Sequence, residues 1–353
     1  MKKSLLALAA LTAFAGVASA QSSVTLFGVV DLNARNVKNG TNSIKSLSKD
    51  GNASSRLGFR GVEDLGGGMR AGFWIEGAMD PDTGTAGGQT WQRRTTASLM
   101  GGFGEIRLGR DYTPSFWNHT VFDPFGTNGI GAQTNLMTPF GVPSVLNNFG
   151  TGNGATTLVR ANNSIGYFLP AMGGLYGQLM VAAGEGVAGN KYIGGRIGYA
   201  AGPLNVAVAL GNTEVTGSRD QKAMNAGASF NAGFMTVFGQ YHRYTIDNSV
   251  GADPKQTNMM VGLTVPVGAG TIKASYGKAS ANGTANDGTQ AAVGYVHDLS
   301  KRTALYTHFS KISNETGARY SVAGGGSGGA PVFGGTSAKP SSTGYEFGVR
   351  HSF

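Results

Sequence analysis

The stretch LNVAVALG, residues 204–211, alternates without a break. Leu204, Val206, Val208 and Leu210 are large and apolar, while Asn205, Ala207, Ala209 and Gly211 are small or polar. A period of two puts the first set on one face of an extended strand and the second set on the other. The pattern recurs at Met259, Val261, Leu263 and Val265, at Met69, Ala71, Phe73 and Ile75, and at Tyr345, Phe347 and Val349. Their partners on the opposite face include Asn258, Gly262, Arg70, Trp74, Glu76, Glu346 and Arg350. A soluble β-sandwich also alternates, but it hides its large apolar face and wets the polar one. Charges mixed with glycine fit a wet interior instead, with the apolar face turned to lipid. The segments run to about ten residues, the length a tilted strand needs to cross a bilayer.

Between these segments the connections alternate in length. Tight turns fall at 65–68, 101–102, 170–174, 202–203, 231–233, 266–270 and 300–301, and longer polar loops near 37–51, 81–89, 113–158, 185–190, 214–220, 247–254, 282–287 and 314–341. Seven turns and eight loops join sixteen strands and leave both termini on the short-turn side. Outer-membrane barrels show this asymmetry, with short turns in the periplasm and long loops outside. The fold class read from the sequence is therefore all-β: a transmembrane antiparallel β-barrel of about 16 strands. Alternation is weak over 121–157 and 291–312. The run 324–329, GGGSGG, reads as a mobile part of the last extracellular loop.

Bulk composition agrees. Lys2 and Lys3, the apolar run Leu5 to Val17 and Ala18-Ser19-Ala20 form a secretory signal peptide over 1–20, leaving 21–353 as a single domain. No later stretch is apolar for 18 residues, so transmembrane helices are not expected. Without the signal, 26 basic residues stand against 19 acidic ones. In an exported protein lacking dense Lys/Arg runs, that excess points to small anionic solutes rather than nucleic acid. There are no cysteines, so closure of the sheet must supply what disulfides do elsewhere.

Six stretches carry a resemblance: SSVTLFGVVD (22–31), SRLGFRGVEDLGGGMRAGFWIE (55–76), GGFGEIRLGRD (101–111), VRANNSIGY (159–167), GYVHDLSKRTALY (294–306) and FGVRHSF (347–353). Together they resemble the trimeric general porins of Gram-negative outer membranes, most closely the anion-selective beta-proteobacterial type. The resemblance spans nearly the whole mature chain. It implies a 16-stranded barrel in a homotrimer, a third loop folded into the lumen, and passive diffusion without a cofactor. It implies embedding in outer-membrane lipid and lipopolysaccharide. It also implies a carboxy-terminal aromatic, matched by Phe353, that serves the barrel assembly machinery; the same ring can equally be one more membrane-facing aromatic.

Arginines are the candidate pore residues. Leu57 and Phe59 face one way on their strand, which puts Arg56 and Arg60 in the lumen with Gly58 between them. Guanidinium groups stay charged and bind carboxylate or phosphate in a bidentate way, and a low-dielectric wall focuses their field. Similar porins carry a ladder of arginines at the constriction, and the motif-matched positions are Arg56, Arg93 and Arg160. Parity cannot choose between Arg93 and Arg94; the resemblance favours Arg93. The 113–158 loop contains Phe116, Trp117, Val121, Phe122, Phe125, Leu136, Met137, Phe140 and Phe149, which need a surface to pack on, and folding inward supplies one. Asp123 in this loop either faces the arginines and sets a transverse field or sits in a solvated turn with Pro124. Aromatics near strand ends (Tyr167, Phe168, Tyr176, Tyr192, Tyr199, Phe230, Tyr241, Tyr276, Tyr295 and Tyr306) suit interfacial girdles or subunit contacts.

Enzyme chemistry finds no support. The five histidines (His119, His242, His297, His308, His351) lack metal-ligand spacing, and no nucleophile elbow or phosphate loop occurs. The competing functions are a channel specific for dicarboxylates, phosphate or sugars, and an adhesin built on the long loops. A sugar channel needs a continuous aromatic slide, and the lumen parity offers only Trp74.

Overall fold

The computed structural model describes residues 23–84, 90–137, 157–215, 219–247, 251–282, 286–323 and 330–353. The signal peptide expected over 1–20, the 324–329 run, and Phe140 and Phe149 of the long loop lie outside the described residues. Chain order gives β1 (Ser23–Asn39), β2 (Asn42–Lys49), β3 (Arg56–Gly66), β4 (Met69–Ala78), β5 (Arg94–Gly101) and β6 (Gly104–Tyr112). A short helix α1 (Pro114–Val121) and a 3-10 turn (Gln133–Leu136) follow. Next come β7 (Arg160–Phe168), β8 (Leu175–Ala182), β9 (Tyr192–Ala201), β10 (Leu204–Val215), β11 (Arg219–Asn231) and β12 (Thr236–Ile246). The chain ends with β13 (Lys255–Val267), β14 (Gly270–Ala281), β15 (Gly288–Asp298), β16 (Thr303–Asn314) and β17 (Ser341–Ser352).

Every strand pairs antiparallel with its neighbours, and β1 pairs β17 from Val29↔Ser352 to Asn39↔Ser342, so the sheet closes on itself. Phe353 completes the seam by exchanging two backbone hydrogen bonds with Gly28, each 3.1 Å. The 17 segments make a 16-strand wall, because β2 and β3 share one lane: β1 pairs β2 through its upper half and β3 through its lower half. The loop expected at 37–51 is thus a strand hairpin. The true break comes at 50–55, where Asp31 accepts backbone N–H groups from Gly51, Asn52 and Ala53. Buried carboxylate acceptors of that kind satisfy amides that have left the ladder.

All seven tight turns join consecutive strands. At the β3–β4 turn Gly66, Gly67 and Gly68 have φ of 78°, 60° and 79°, a backbone that side chains disfavour and glycine adopts freely. The outward face is the apolar one, with Val208, Leu210, Val261 and Phe347 all more than half exposed. Their inward partners Ala207, Ala209, Met260 and Glu346 are buried. This is the inside-out pattern that lipid demands. No described helix is long and apolar enough to cross a membrane; the crossing is made by strands.

Four of the aromatics assigned above to girdles turn inward instead. Tyr192 and Tyr306 are buried, and Phe168 and Tyr176 lie under lumen arginines. Tyr199, Phe230 and Tyr276 face outward. The weakly alternating 291–312 segment forms β15 and β16 in full register. Part of the last loop is packed rather than free. Ala318, Tyr320 and Val322 are buried with Ile130 and Leu136 of the long third loop.

Candidate functional site

The third loop enters the barrel and lies against β9–β15. Its seat is cut to shape by glycines. A Cβ added to Gly227 would lie 2.1 Å from the Phe122 ring, and one at Gly277 would lie 2.0 Å from the Gln133 side chain. Polar contacts pin the same face. Asn118 Nδ2 donates to Asn225 Oδ1 at 2.6 Å, Arg196 Nε donates to Asn118 Oδ1 at 2.6 Å, and Gln256 Nε2 donates to the carbonyls of Leu136 and Met137. His119 stacks on His242 with centroids 3.6 Å apart, and its Nε2 lies 2.6 Å from the Tyr244 hydroxyl. Burial drives the His119 pKa down to about 3, so its ring stays neutral in that stack.

Across the lumen the opposite wall carries the arginines. Arg56 opens β3, Arg93 directly precedes β5, and Arg160 opens β7. One carboxylate organises two of them. Arg93 Nε donates to Glu76 Oε1 at 2.6 Å, and Arg56 Nε stands 3.9 Å from the same oxygen. The second Glu76 oxygen accepts the Trp74 indole N–H at 3.0 Å. Arg160 is held by a ring instead, its guanidinium carbon 4.3 Å from the Tyr112 centroid. Burial works against the charge of Arg93, but Tyr112, Glu76 and Asp50 outweigh it and raise its pKa above the ordinary value. Arg93 and Arg160 share a recess of about 270 Å³ with Thr127, Thr134 and Met137 of the loop, so these two arginines face the inserted loop across the gap. Three guanidiniums against Glu76 and the more distant Asp50 leave at least one positive charge unneutralised. At 5–8 Å and an effective dielectric between about 20 and 80, one such charge attracts an anion by roughly 0.5–3 kcal/mol.

The parity of β5 places Arg94 inward, opposite Glu76, and Arg93 reaches the lumen from the connection just before it. Both therefore point into the channel. Arg94 lies 4.5 Å from the Trp74 centroid and 3.9 Å from Asp111, lower on the wall with Arg60. Asp123 joins neither alternative raised from the sequence. It is buried under the loop, accepts the backbone N–H groups of Phe125 and Gln133 at 2.8 Å each, and is no arginine's salt-bridge partner among the described residues. Burial pushes its pKa up to about 7, against the two N–H donors and Lys273, which lower it.

Glu76, Tyr112, Trp74 and Asp111 hold the arginines in place, and sequence reasoning did not single them out as a site. Parity put Glu76 and Trp74 in the lumen, but their partners come from other strands. Five inward aromatics each carry a guanidinium: Phe27, Trp74, Tyr112, Phe168 and Tyr176. They prop up charges and do not form an open slide. Among the described residues no cluster of three or more metal-ligating side chains occurs.

Comparison with known proteins agrees with this architecture. A family model described as Gram-negative porin matches residues 7–317. Outer membrane porin protein 32 of Delftia acidovorans is 40% identical over 366 residues, covering 100% of both chains. A solved structure described as an anion-selective porin from Comamonas acidovorans aligns with a TM-score of 0.82 at 36% identity, covering 94% of this chain and 100% of that one. OmpT of Vibrio cholerae aligns with a TM-score of 0.66 at 13% identity over 95% and 99% of the two chains, a likeness of fold alone.

Proposed function

This chain belongs to the Gram-negative porin family and is an outer-membrane porin, and we propose that it is an anion-preferring general diffusion channel. The observation that carries the preference is the surplus of guanidinium over carboxylate where the inserted loop faces the wall: Arg56, Arg93 and Arg160 against Glu76. Arginine cannot lose its charge at physiological pH, and in a water-filled gap walled by low-dielectric protein its field concentrates small anions. The likeness to a porin described as anion-selective supports the same reading. Arg60 and Arg94 extend the positive wall below the gap, and Asp123 acts on the pore through the seating of the loop.

The chain functions as a passive pore with no enzymatic step and no cofactor. It assembles as a homotrimer in outer-membrane lipid and lipopolysaccharide, with Phe353 presented to the barrel assembly machinery at the closing seam. A sugar-specific channel is disfavoured because the inward rings are covered by guanidiniums. The test is solute flux into liposomes holding the purified protein, with anionic and cationic solutes of matched size. Faster entry of the anion supports the proposal, and equal rates overturn the preference while leaving the pore.

A further inference from the structure

The lipid-facing side of β10–β12 is bare over part of its height. Ala226 and Ala228 face outward on β11, and Gly239 lies directly across from Ala228 on β12. A Cβ added to Gly239 would meet nothing within 4 Å. These small residues floor a depression of about 600 Å³, walled by Ile197, Tyr199, Val208 and Tyr241. A second depression of about 470 Å³ continues it toward the long-loop end, between Ile193, Leu210 and Met224. From Val206 to Asn212 the track runs about 20 Å along a tilted strand, enough to cover the ~15 Å depth of one hydrocarbon leaflet.

The inner face of the same strands carries the third loop. Ala207 and Ala209 are buried there, and Gly227, between Ala226 and Ala228, receives the Phe122 ring. Little more than backbone separates the loop from the membrane at this point. Packed atoms that lack neighbours on one side lose their dispersion contacts, so whatever fills the outer depression supports the floor on which the loop rests.

At the long-loop end the track meets charge. Arg243 stands directly across from Met224 in register and faces outward with Thr257 and Ser280. With Lys255 and Asn282 these residues line a polar recess of about 500 Å³. No carboxylate lies within 4.0 Å of Arg243 or Lys255 among the described residues. The acids of the recess are engaged elsewhere. Asp287 accepts the Ser280 hydroxyl at 3.3 Å and the Ala281 N–H at 3.1 Å, and Glu315 pairs with Lys339 at 2.5 Å. Two cations beside hydroxyls suit a phosphate, which accepts several charge-assisted bonds at once. The recess has room for a sugar ring beside it.

We propose that the outer face of β9–β14 seats one lipopolysaccharide molecule, with a lipid A phosphate between Arg243 and Lys255 and an acyl chain in the track, and that this lipid buttresses the third loop through the shared wall. The seat rests on the reading of the barrel as embedded in lipopolysaccharide and adds to it a fixed lipid that supports the pore.

The protein is refolded in detergent, mixed with bisphosphorylated lipid A, with its dephosphorylated form or with phosphatidylglycerol, and followed by native mass spectrometry. One bisphosphorylated lipid A per protomer is expected. Its retention should weaken about tenfold in the Arg243→Gln and Lys255→Gln pair, the scale of one charge-assisted contact, and should also weaken in Gly239→Leu, whose side chain fills the track. Equal retention of phosphatidylglycerol or of the dephosphorylated form, or retention unchanged in either variant, overturns the seat. The buttress is read in planar bilayers. Single-channel current noise of the native chain should fall when lipid A is present in the extracellular leaflet, and noise indifferent to lipid A overturns the coupling. A barrel that conducts in phospholipid bilayers but retains no lipid A loses only this seat, whereas one that does not conduct loses the pore reading as well.

Discussion

At the scale of single residues, charge balance is the property that matters. Glu76 is the carboxylate that divides itself between Arg93 and Arg56. Glu76→Gln keeps a hydrogen-bond acceptor and removes the negative charge. Chloride preference in a bilayer should therefore rise; a fall would mean that Glu76 matters more for placing the arginines than for neutralising them. Asp123 gives a pH dependence with a definite sign. Its pKa is raised from 3.8 to about 7 by burial, so the folded chain binds this proton more tightly than the unfolded chain. Its contribution to stability is thus fully present below about pH 4, is lost as pH rises toward 7, and stays lost above. The third loop should be seated more firmly at pH 5 than at pH 8, read as lower single-channel current noise. Asp123→Asn should flatten that difference, and a pH dependence unchanged by the substitution would contradict the assignment.

At the scale of elements, the inserted loop and the wall it rests on form one packed unit. Gly227 leaves room for the Phe122 ring and Gly277 for Gln133, so these glycines are a molded seat for the loop. A side chain at Gly227 must displace the ring, and overpacking of this kind costs about 1–3 kcal/mol. Gly227→Val should leave the barrel assembled but unseat the loop, giving larger and noisier single-channel conductance. Unchanged conductance would show that the loop does not set the channel width. The last long loop belongs to the same unit, because Tyr320 and Val322 bury against Ile130 and Leu136.

For the whole molecule, stability comes from closure. The β1–β17 ladder removes both edges of the sheet, and the apolar outer face is satisfied by lipid or detergent. The folded protein should therefore migrate differently on detergent gels before and after boiling, and identical migration would contradict a closed barrel. The sequence showed this architecture because the period-two pattern is local: each strand reports its own two faces, and each glycine-rich turn its own reversal. It misread what depends on distant partners. The 37–51 segment forms a hairpin whose Asn, Ser, Thr, Lys and Gly residues resemble a loop in composition. Tyr306 and Tyr192 look like girdle residues until their register turns them inward. Arg56 was legible by parity alone. Arg93 was not, because it sits outside its strand and is drawn inward by Glu76 from β4. Asp123 could be placed only once the loop's fold back on itself, which brings the Gln133 amide to it, was known.

The central claim is that the arginine surplus makes the pore select anions. The most direct measurement is the reversal potential across a planar bilayer under a potassium chloride gradient, for the native chain and for the combined Arg56→Ser and Arg93→Ser variant. A native potential favouring chloride that falls toward zero in the variant is the predicted result, and a native potential without chloride preference, or a preference that survives both substitutions, would contradict it.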